Sequence, residues 1–256
     1  MADRPLERAA VLMFHGLTHG ETNIDVPVRE RKYWVNADRF SRQLNAIRDS
    51  GAAIVPLYSF WSRPAETPAA GAAVITFDDG AISDYEIAFP RLLEANATAS
   101  FFLNTGTVGR PGYVSWDQVR EMRKYGMTFY SHSHDHVYLT KLSLSALAFQ
   151  MQQSRQMLEE KLGVPAEFLS LPFGDGNGVV IREALRAGFA AVCTSRCVRA
   201  QPGQTTIDRV AVYAGSGVRT IRRMVGGDPW FYAGRAAKAA LIHIPKRIIL
   251  TKAHAN

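Results

Sequence analysis

The feature that most limits what this chain can fold into is a repeated alternation of short apolar runs of strand length with stretches of helical spacing. Residues 11–14, 53–57, 73–77, 99–103, 127–131, 168–171 and 189–193 are expected as strands, and 207–213 as an eighth. Between the first two, Asn36 is placed to cap a helix with Phe40, Leu44 and Ile47 on one face and Gly51 as its stop. Ser115 and Gln118 form a capping box ahead of a helix running to Gly126. A third helix, from near Ser143, lines up Leu147, Met151, Ser154, Leu158 and Leu162 before Gly163, a stripe that packs a core and implies no cofactor. Residues 63–71 read as a loop. Units that alternate in this way belong to the α/β class and wrap a mostly parallel sheet. Seven or eight of them predict a closed or nearly closed (β/α) barrel of about seven strands, whose active site is built by the loops after the strands' C-terminal ends.

Composition fits one such domain: 256 residues, 47% hydrophobic and 21% charged. No stretch approaches the roughly 18–20 continuous apolar residues that span a bilayer. The short apolar run of the opening MADRPLERAAVLMF leads directly into His15 and Gly16, so no secretory leader and a cytoplasmic location are expected. Cys193 and Cys197 are too few for a disulfide framework and are read as core residues near a strand end. The net charge of +7 is concentrated late in the chain, where eleven Lys and Arg from Arg196 onward face only Asp208 and Asp228. Residues 1–215 are therefore assigned to the barrel and 216–256 to a basic C-terminal extension, read as a solvated tail with weak peripheral contact to an anionic membrane face as the alternative. Its cations are not interleaved with stacking aromatics, so no nucleic-acid partner is expected; the oligomeric state is left open.

Two segments carry chemistry. Val74-Ile75-Thr76-Phe77 runs straight into Asp78-Asp79-Gly80, which puts two carboxylates at a strand's C-terminal end. Adjacent acids do not share a strand face, so one can bind a cation while the other stays free as a base. Ser131-His132-Ser133-His134-Asp135-His136 follows the strand expected at 127–131. Three histidines in five residues are costly to bury as packing, and His132 and His136 stand far enough apart to approach one cation from two directions. With one carboxylate they make a two-histidine, one-carboxylate set that leaves positions open, and Ser133 and Asp135 are candidates to orient the imidazoles.

These segments resemble the motifs of the polysaccharide deacetylases that share the NodB homology domain, also called carbohydrate esterase family 4. Thr76-Phe77-Asp78-Asp79-Gly80 is similar to the family's first motif, and His132-Ser133-His134-Asp135-His136 with Leu139-Thr140-Lys141-Leu142 to its second. The resemblance extends from about Val11 to Val212. It implies a distorted (β/α) barrel, a divalent metal held by Asp79, His132 and His136, and Asp78 in the place of the catalytic base. Zinc is the expected ion, with cobalt, nickel or manganese as alternatives. Val11-Leu12-Met13-Phe14-His15 resembles the opening strand of the poly-N-acetylglucosamine deacetylase branch, which makes His15 the carried-over general acid.

The chain also departs from the family pattern. The third motif is typically Arg-Pro-Pro-Tyr-Gly, whereas this chain reads Ser170-Leu171-Pro172-Phe173-Gly174-Asp175. Ser170 cannot replace a guanidinium, so the group that orients Asp78 must come from elsewhere. Phe173, through its backbone N–H, and Pro172 are expected at the oxyanion and acetyl pocket, and Trp116 at the mouth of the site. The late Leu-x-Leu-x-His motif has only a poor echo at Leu241-Ile242-His243, and His243 is treated as a tail residue. The expected function is metal-dependent removal of N-acetyl groups from amino sugars of a poly- or oligosaccharide, in exopolysaccharide or cell-envelope carbohydrate metabolism. The alternatives are a deacetylase of peptidoglycan or of a lipid-linked precursor, and a metal-binding carbohydrate-recognition protein without turnover.

Overall fold

A computed structural model describes residues 8–20, 28, 30–62 and 71–242, with side chains of the last helix through Ala237. The loop expected at 63–71 therefore lies outside the described residues except for Gly71, as does the tail from His243 onward. The main sheet has nine strands: β1 (Ala10–Phe14), β2 (Ala53–Ile54), β3 (Ala72–Asp79), β4 (Ser100–Leu103), β5 (Thr128–Ser131), β6 (Phe168–Ser170), β7 (Ala191–Thr194), β8 (Thr206–Asp208) and β9 (Val210–Ala211). Its order is β8-β7-β6-β5-β4-β3-β1-β9, with β2 on β3, and every pairing is parallel. Only Arg209 separates β8 from β9. A single run of chain thus pairs with β7 on one side and with β1 on the other, drawing the two ends of the sheet together. Counting that run once, seven strand positions go round a nearly closed distorted barrel, as the alternation predicted.

The helices are α1 (Ala37–Asp49), α2 (Leu57–Ser62), α3 (Phe89–Glu94), α4 (Trp116–Lys124), α5 (Leu144–Leu162), α6 (Gly178–Arg186), α7 (Val218–Val225) and α8 (Pro229–Ile242). Three start where their caps require. Asn36 accepts from the Asp38 and Arg39 N–H groups, Ser115 and Gln118 close a full capping box, and Ser143 caps α5, which ends on a left-handed Gly163. The strand expected at 53–57 is shorter than predicted. Pro56 has no N–H to give a ladder, and its carbonyl instead accepts from the Phe60 N–H as α2 begins at Leu57.

Alternation along the strands builds two apolar layers. Phe14, Phe77, Phe101 and Phe129 are partners in register on β1, β3, β4 and β5, and their rings stack in sequence at 5.2, 5.1 and 5.4 Å beneath the outer helices. The opposite face, with Val11, Val74, Phe102, Tyr130, Phe168 and Cys193, fills the barrel interior, and α2 closes it with Leu57 and Phe60. The ring ladder fixes the register of the strands whose next residues carry the chemistry. Residues after 215 continue onto the barrel: α7 buries Ile221, Met224 and Val225 in the outer core. No helix among the described residues is long and apolar enough to cross a membrane.

Phe101 is fully buried between two ring partners. Phe101→Ala is expected to cost about 3–5 kcal/mol, read as a lowered urea midpoint at unchanged slope.

Candidate active site

On β3, Val74 packs in the barrel interior, and the next residues of the same parity, Thr76 and Asp78, share a partner there, the guanidinium of Arg209. The chain then turns sharply. Asp79 has φ of 80° and Gly80 of 71°, which swings Asp79 out of the strand toward the loop after β5. Glycine suits the second of these positions, because a side chain would be strained at that φ and its Cβ would meet Leu103 Cδ2 at 2.8 Å.

That loop presents the two histidines of the second motif. Asp79 Oδ1 lies 3.3 Å from His132 Nε2 and 3.3 Å from His136 Nε2, and the three ligand atoms all fall within 4.8 Å of one another. Two ligands each about 2.0–2.1 Å from a tetrahedral zinc stand roughly 3.3 Å apart, so the cluster has the dimensions of a metal site. Two further observations fit a cation there. Among the described residues, Asp79 Oδ1 is buried without a hydrogen-bond partner. His132 Nδ1 lies 3.0 Å from the Ser170 carbonyl, an acceptor only, so this nitrogen carries a proton and Nε2 is the one turned toward an ion.

The orienting partner of His132 is thus the Ser170 carbonyl, not Ser133 or Asp135. The Ser133 hydroxyl instead accepts the His136 backbone N–H, and the Asp135 carboxylate accepts from Gln150 Nε2. Ser133 thus holds the loop backbone directly, whereas Asp135 orients Gln150, whose Oε1 accepts the His134 and Asp135 N–H groups; in this loop Ser133 and His136 themselves have φ of 66° and 53°.

Asp78 is 2% exposed and lies behind this cluster. Burial alone would raise its carboxyl, but the Arg209 guanidinium outweighs that cost, with His132 assisting, and holds it below the ordinary carboxylate range. The pair is bidentate: Arg209 Nη1 donates to Oδ1 and Nη2 to Oδ2, both at 2.7 Å. Arg209 is itself fully buried, and it also donates to Ser170 Oγ, Thr76 Oγ1 and the Thr194 carbonyl and lies over the Phe102 ring. Ser170 completes the set by donating to Asp78 Oδ2 at 3.1 Å.

The charges around the cluster are strongly coupled. Burial would raise Asp79 as well, yet His132, His15 and His136 keep it well below the usual range. Burial would lower His132, but the two carboxylates raise it, whereas burial and the charge of His132 push His136 down to about 4. Asp84 is raised well above its ordinary value by burial and by Asp79 and Asp78.

A cleft of about 1210 Å³ opens over these residues. His15 lines it and stacks on Tyr33 at 4.7 Å, while Phe173, Tyr113, Tyr138, Trp34 and Tyr213 supply aromatic walls. Two expected pocket residues are placed elsewhere. Pro172 is buried and does not line the cleft, and Trp116, at the start of α4, packs half-buried on the outer core. Trp116 is drawn there by α4, whose Val119 and Met122 face the same core.

Residues 65–192 match the family model described as polysaccharide deacetylase. The chain belongs to the polysaccharide deacetylase family. It is 25% identical over 218 residues to the Bacillus subtilis (strain 168) protein YxkH, whose name places it among polysaccharide deacetylases; the match covers 84% of this chain and 72% of that one. Among solved structures, IcaB from Ammonifex degensii is 25% identical with a TM-score of 0.74, covering 86% of this chain and 97% of that one. Streptococcus pyogenes deacetylase PplD, solved in complex with acetate, has the same fold at 24% identity and a TM-score of 0.75, covering 85% and 98%. As a polysaccharide deacetylase the chain is a hydrolase of N-acetyl amide bonds on carbohydrate.

Arg209 is the site residue that motif reading missed. Its signal lies in Ile207-Asp208-Arg209-Val210-Ala211-Val212, where one cation interrupts a strand that enters the core and so requires a buried partner. Removing it leaves Asp78 uncompensated, so Arg209→Met should cost about 3–5 kcal/mol of stability. Because the folded value of Asp78 lies below the ordinary value of about 3.9, the pair stabilises fully above that pH and is lost as pH falls through the folded value. Without the guanidinium the value rises, so the acid limb of the pH profile of kcat/KM should move to higher pH in Arg209→Lys, whose single ammonium cannot reproduce the fork. An unmoved acid limb would show that Arg209 does not tune Asp78.

Proposed function

We propose that this polysaccharide deacetylase hydrolyses the acetamide of N-acetylated amino sugars within a poly- or oligosaccharide, using a divalent cation held by Asp79, His132 and His136. The observation that carries the reading is the pairing of a metal-sized cluster with a second carboxylate, Asp78, which is kept off that cluster by Arg209. A bound cation, for which zinc suits the two-imidazole, one-carboxylate set, would supply Lewis acidity at the acetamide carbonyl and ease ionisation of the attacking water.

The protein's own groups divide the remaining work. Asp78 takes the proton of the attacking water. It is a weak base, because its value is depressed, but it is ionised at neutral pH, and among the described residues Oδ1 accepts one hydrogen bond, from Arg209, which leaves it a lone pair for the water. As the water oxygen bonds to the carbonyl carbon, the negative charge on the carbonyl oxygen is assigned to the Phe173 backbone N–H at the cleft edge. His15, facing the cleft from the end of β1, protonates the nitrogen as the C–N bond breaks. The products are acetate and a free amino sugar.

The buried Arg209 fork supports turnover over a recognition protein that has lost catalysis, because it gives Asp78 the cation that the third motif no longer supplies. Asp78→Asn should retain the metal, measured by elemental analysis, and lose acetate release from N-acetylglucosamine oligomers by roughly a thousandfold or more. Asp79→Ala should lose both. A chelator should silence the wild type and added zinc restore it. Full activity of Asp78→Asn would refute the assignment of the base.

A further inference from the structure

Two of the largest exposed apolar side chains sit together at the cleft: Tyr138 is 44% and Phe173 55% exposed. Their rings are stacked at 4.1 Å with 14° between planes, and Phe173 in turn meets the His136 ring at 4.5 Å. The column runs from solvent to a ligand of the metal cluster. It is held at a cost in backbone strain, since Phe173 has φ of 59°, a conformation that side chains other than glycine rarely adopt.

The column is also clamped. Tyr138 lies on the loop after β5 and Phe173 on the loop after β6, and Asp175 ties the two by accepting from both the Thr140 N–H and the Thr140 hydroxyl. Away from Phe173, the Tyr138 ring is met among the described residues by the ammonium of Lys141, 4.4 Å from the ring centre, on an exposed side chain. A cation on an exposed ring face is a weak contact that a better-fitting apolar surface displaces.

We propose that Tyr138 is a saccharide-stacking platform: its outer face takes the apolar C–H face of a pyranose ring next to the reacting sugar, while Lys141, moved aside, donates to that ring's hydroxyls. The inference rests on the deacetylase reading and deepens it. Two ring thicknesses separate the platform from His136, so it serves a neighbouring unit of a chain, and the enzyme should favour oligosaccharides over a single N-acetyl sugar. Apolar rings fixed in advance by strain and clamp spend little freedom on binding, the usual advantage of a preorganised surface.

The test compares kcat/KM on N-acetylglucosamine tetramer with that on the monomer, in wild type, Tyr138→Ala, Tyr138→Phe and Thr140→Val. Wild type should prefer the tetramer by at least tenfold. Tyr138→Ala should lose most of that preference, through KM on the tetramer; Tyr138→Phe, which keeps the ring face, should retain it; and Thr140→Val, which loosens the clamp, should fall between. If Tyr138→Ala lowers both substrates equally, the rings merely shield the metal cluster and the proposal fails. A wild type that does not distinguish the two substrates also overturns it, whereas no acetate from either substrate in metal-loaded wild type would instead sink the deacetylase reading.

Discussion

A guanidinium sealed inside a barrel and gripping a carboxylate with both of its outer nitrogens is the constraint on which the rest of this structure depends. Arg209 lies at the seam where one run of chain passes from pairing with β7 to pairing with β1, so the residue that joins the ends of the sheet also reaches the catalytic level. A buried charge without its partner is costly, and each half of the pair is therefore a reason for the other to stay. Ser170 contributes by being small. It leaves room at the end of β6 for a guanidinium arriving from the seam two strands away, adds a hydrogen bond of its own to Asp78, and gives its carbonyl to His132. One segment thereby connects the base and the metal cluster.

The division of labour between Asp78 and Asp79 follows from the same geometry. They are adjacent in sequence, but one completes the inward face of β3 and the other is turned out of the strand by a left-handed backbone. Asp79, Ser133, His136 and Phe173 all have positive φ, Asp79 at the last position of β3 and the others in the loops that form the site. Such conformations persist only where the surroundings over-determine them. Here the surroundings are the phenylalanine ladder beneath the strand ends and the hydrogen bonds of Ser133, Gln150 and Asp175 within the loops. The scaffold is rigid so that the site can be strained.

Much of this was legible in the chain. The alternation gave the barrel and its strand positions, since burial of each short run demands crossovers of the kind seen. The Asp-Asp-Gly and His-x-x-x-His segments named the cluster, because their chemistry is local to two strand ends. What local reading could not reach was set by contacts distant in sequence. Arg209 stands 131 residues from Asp78, and nothing around it resembles a motif. Trp116 was misplaced because a tryptophan at a helix start can face the site or the core, and only the packing of Val119 and Met122 decides which. Ser133 and Asp135 sit beside the ligands in sequence, yet the imidazole of His132 is oriented by a carbonyl of a different strand. The strand expected at 53–57 stops before Pro56, whose missing N–H cannot extend the ladder.

The central claim is that Asp79, His132 and His136 enclose one cation while Asp78, bound to Arg209, stays outside its ligand shell. Anomalous diffraction at the zinc edge from crystals of the zinc-loaded protein measures this directly. The account predicts a single strong peak within bonding distance of Asp79 Oδ1 and both Nε2 atoms, with the Asp78–Arg209 fork intact beside it. A peak bound to Asp78, or none between the two histidines at full zinc loading, would contradict it.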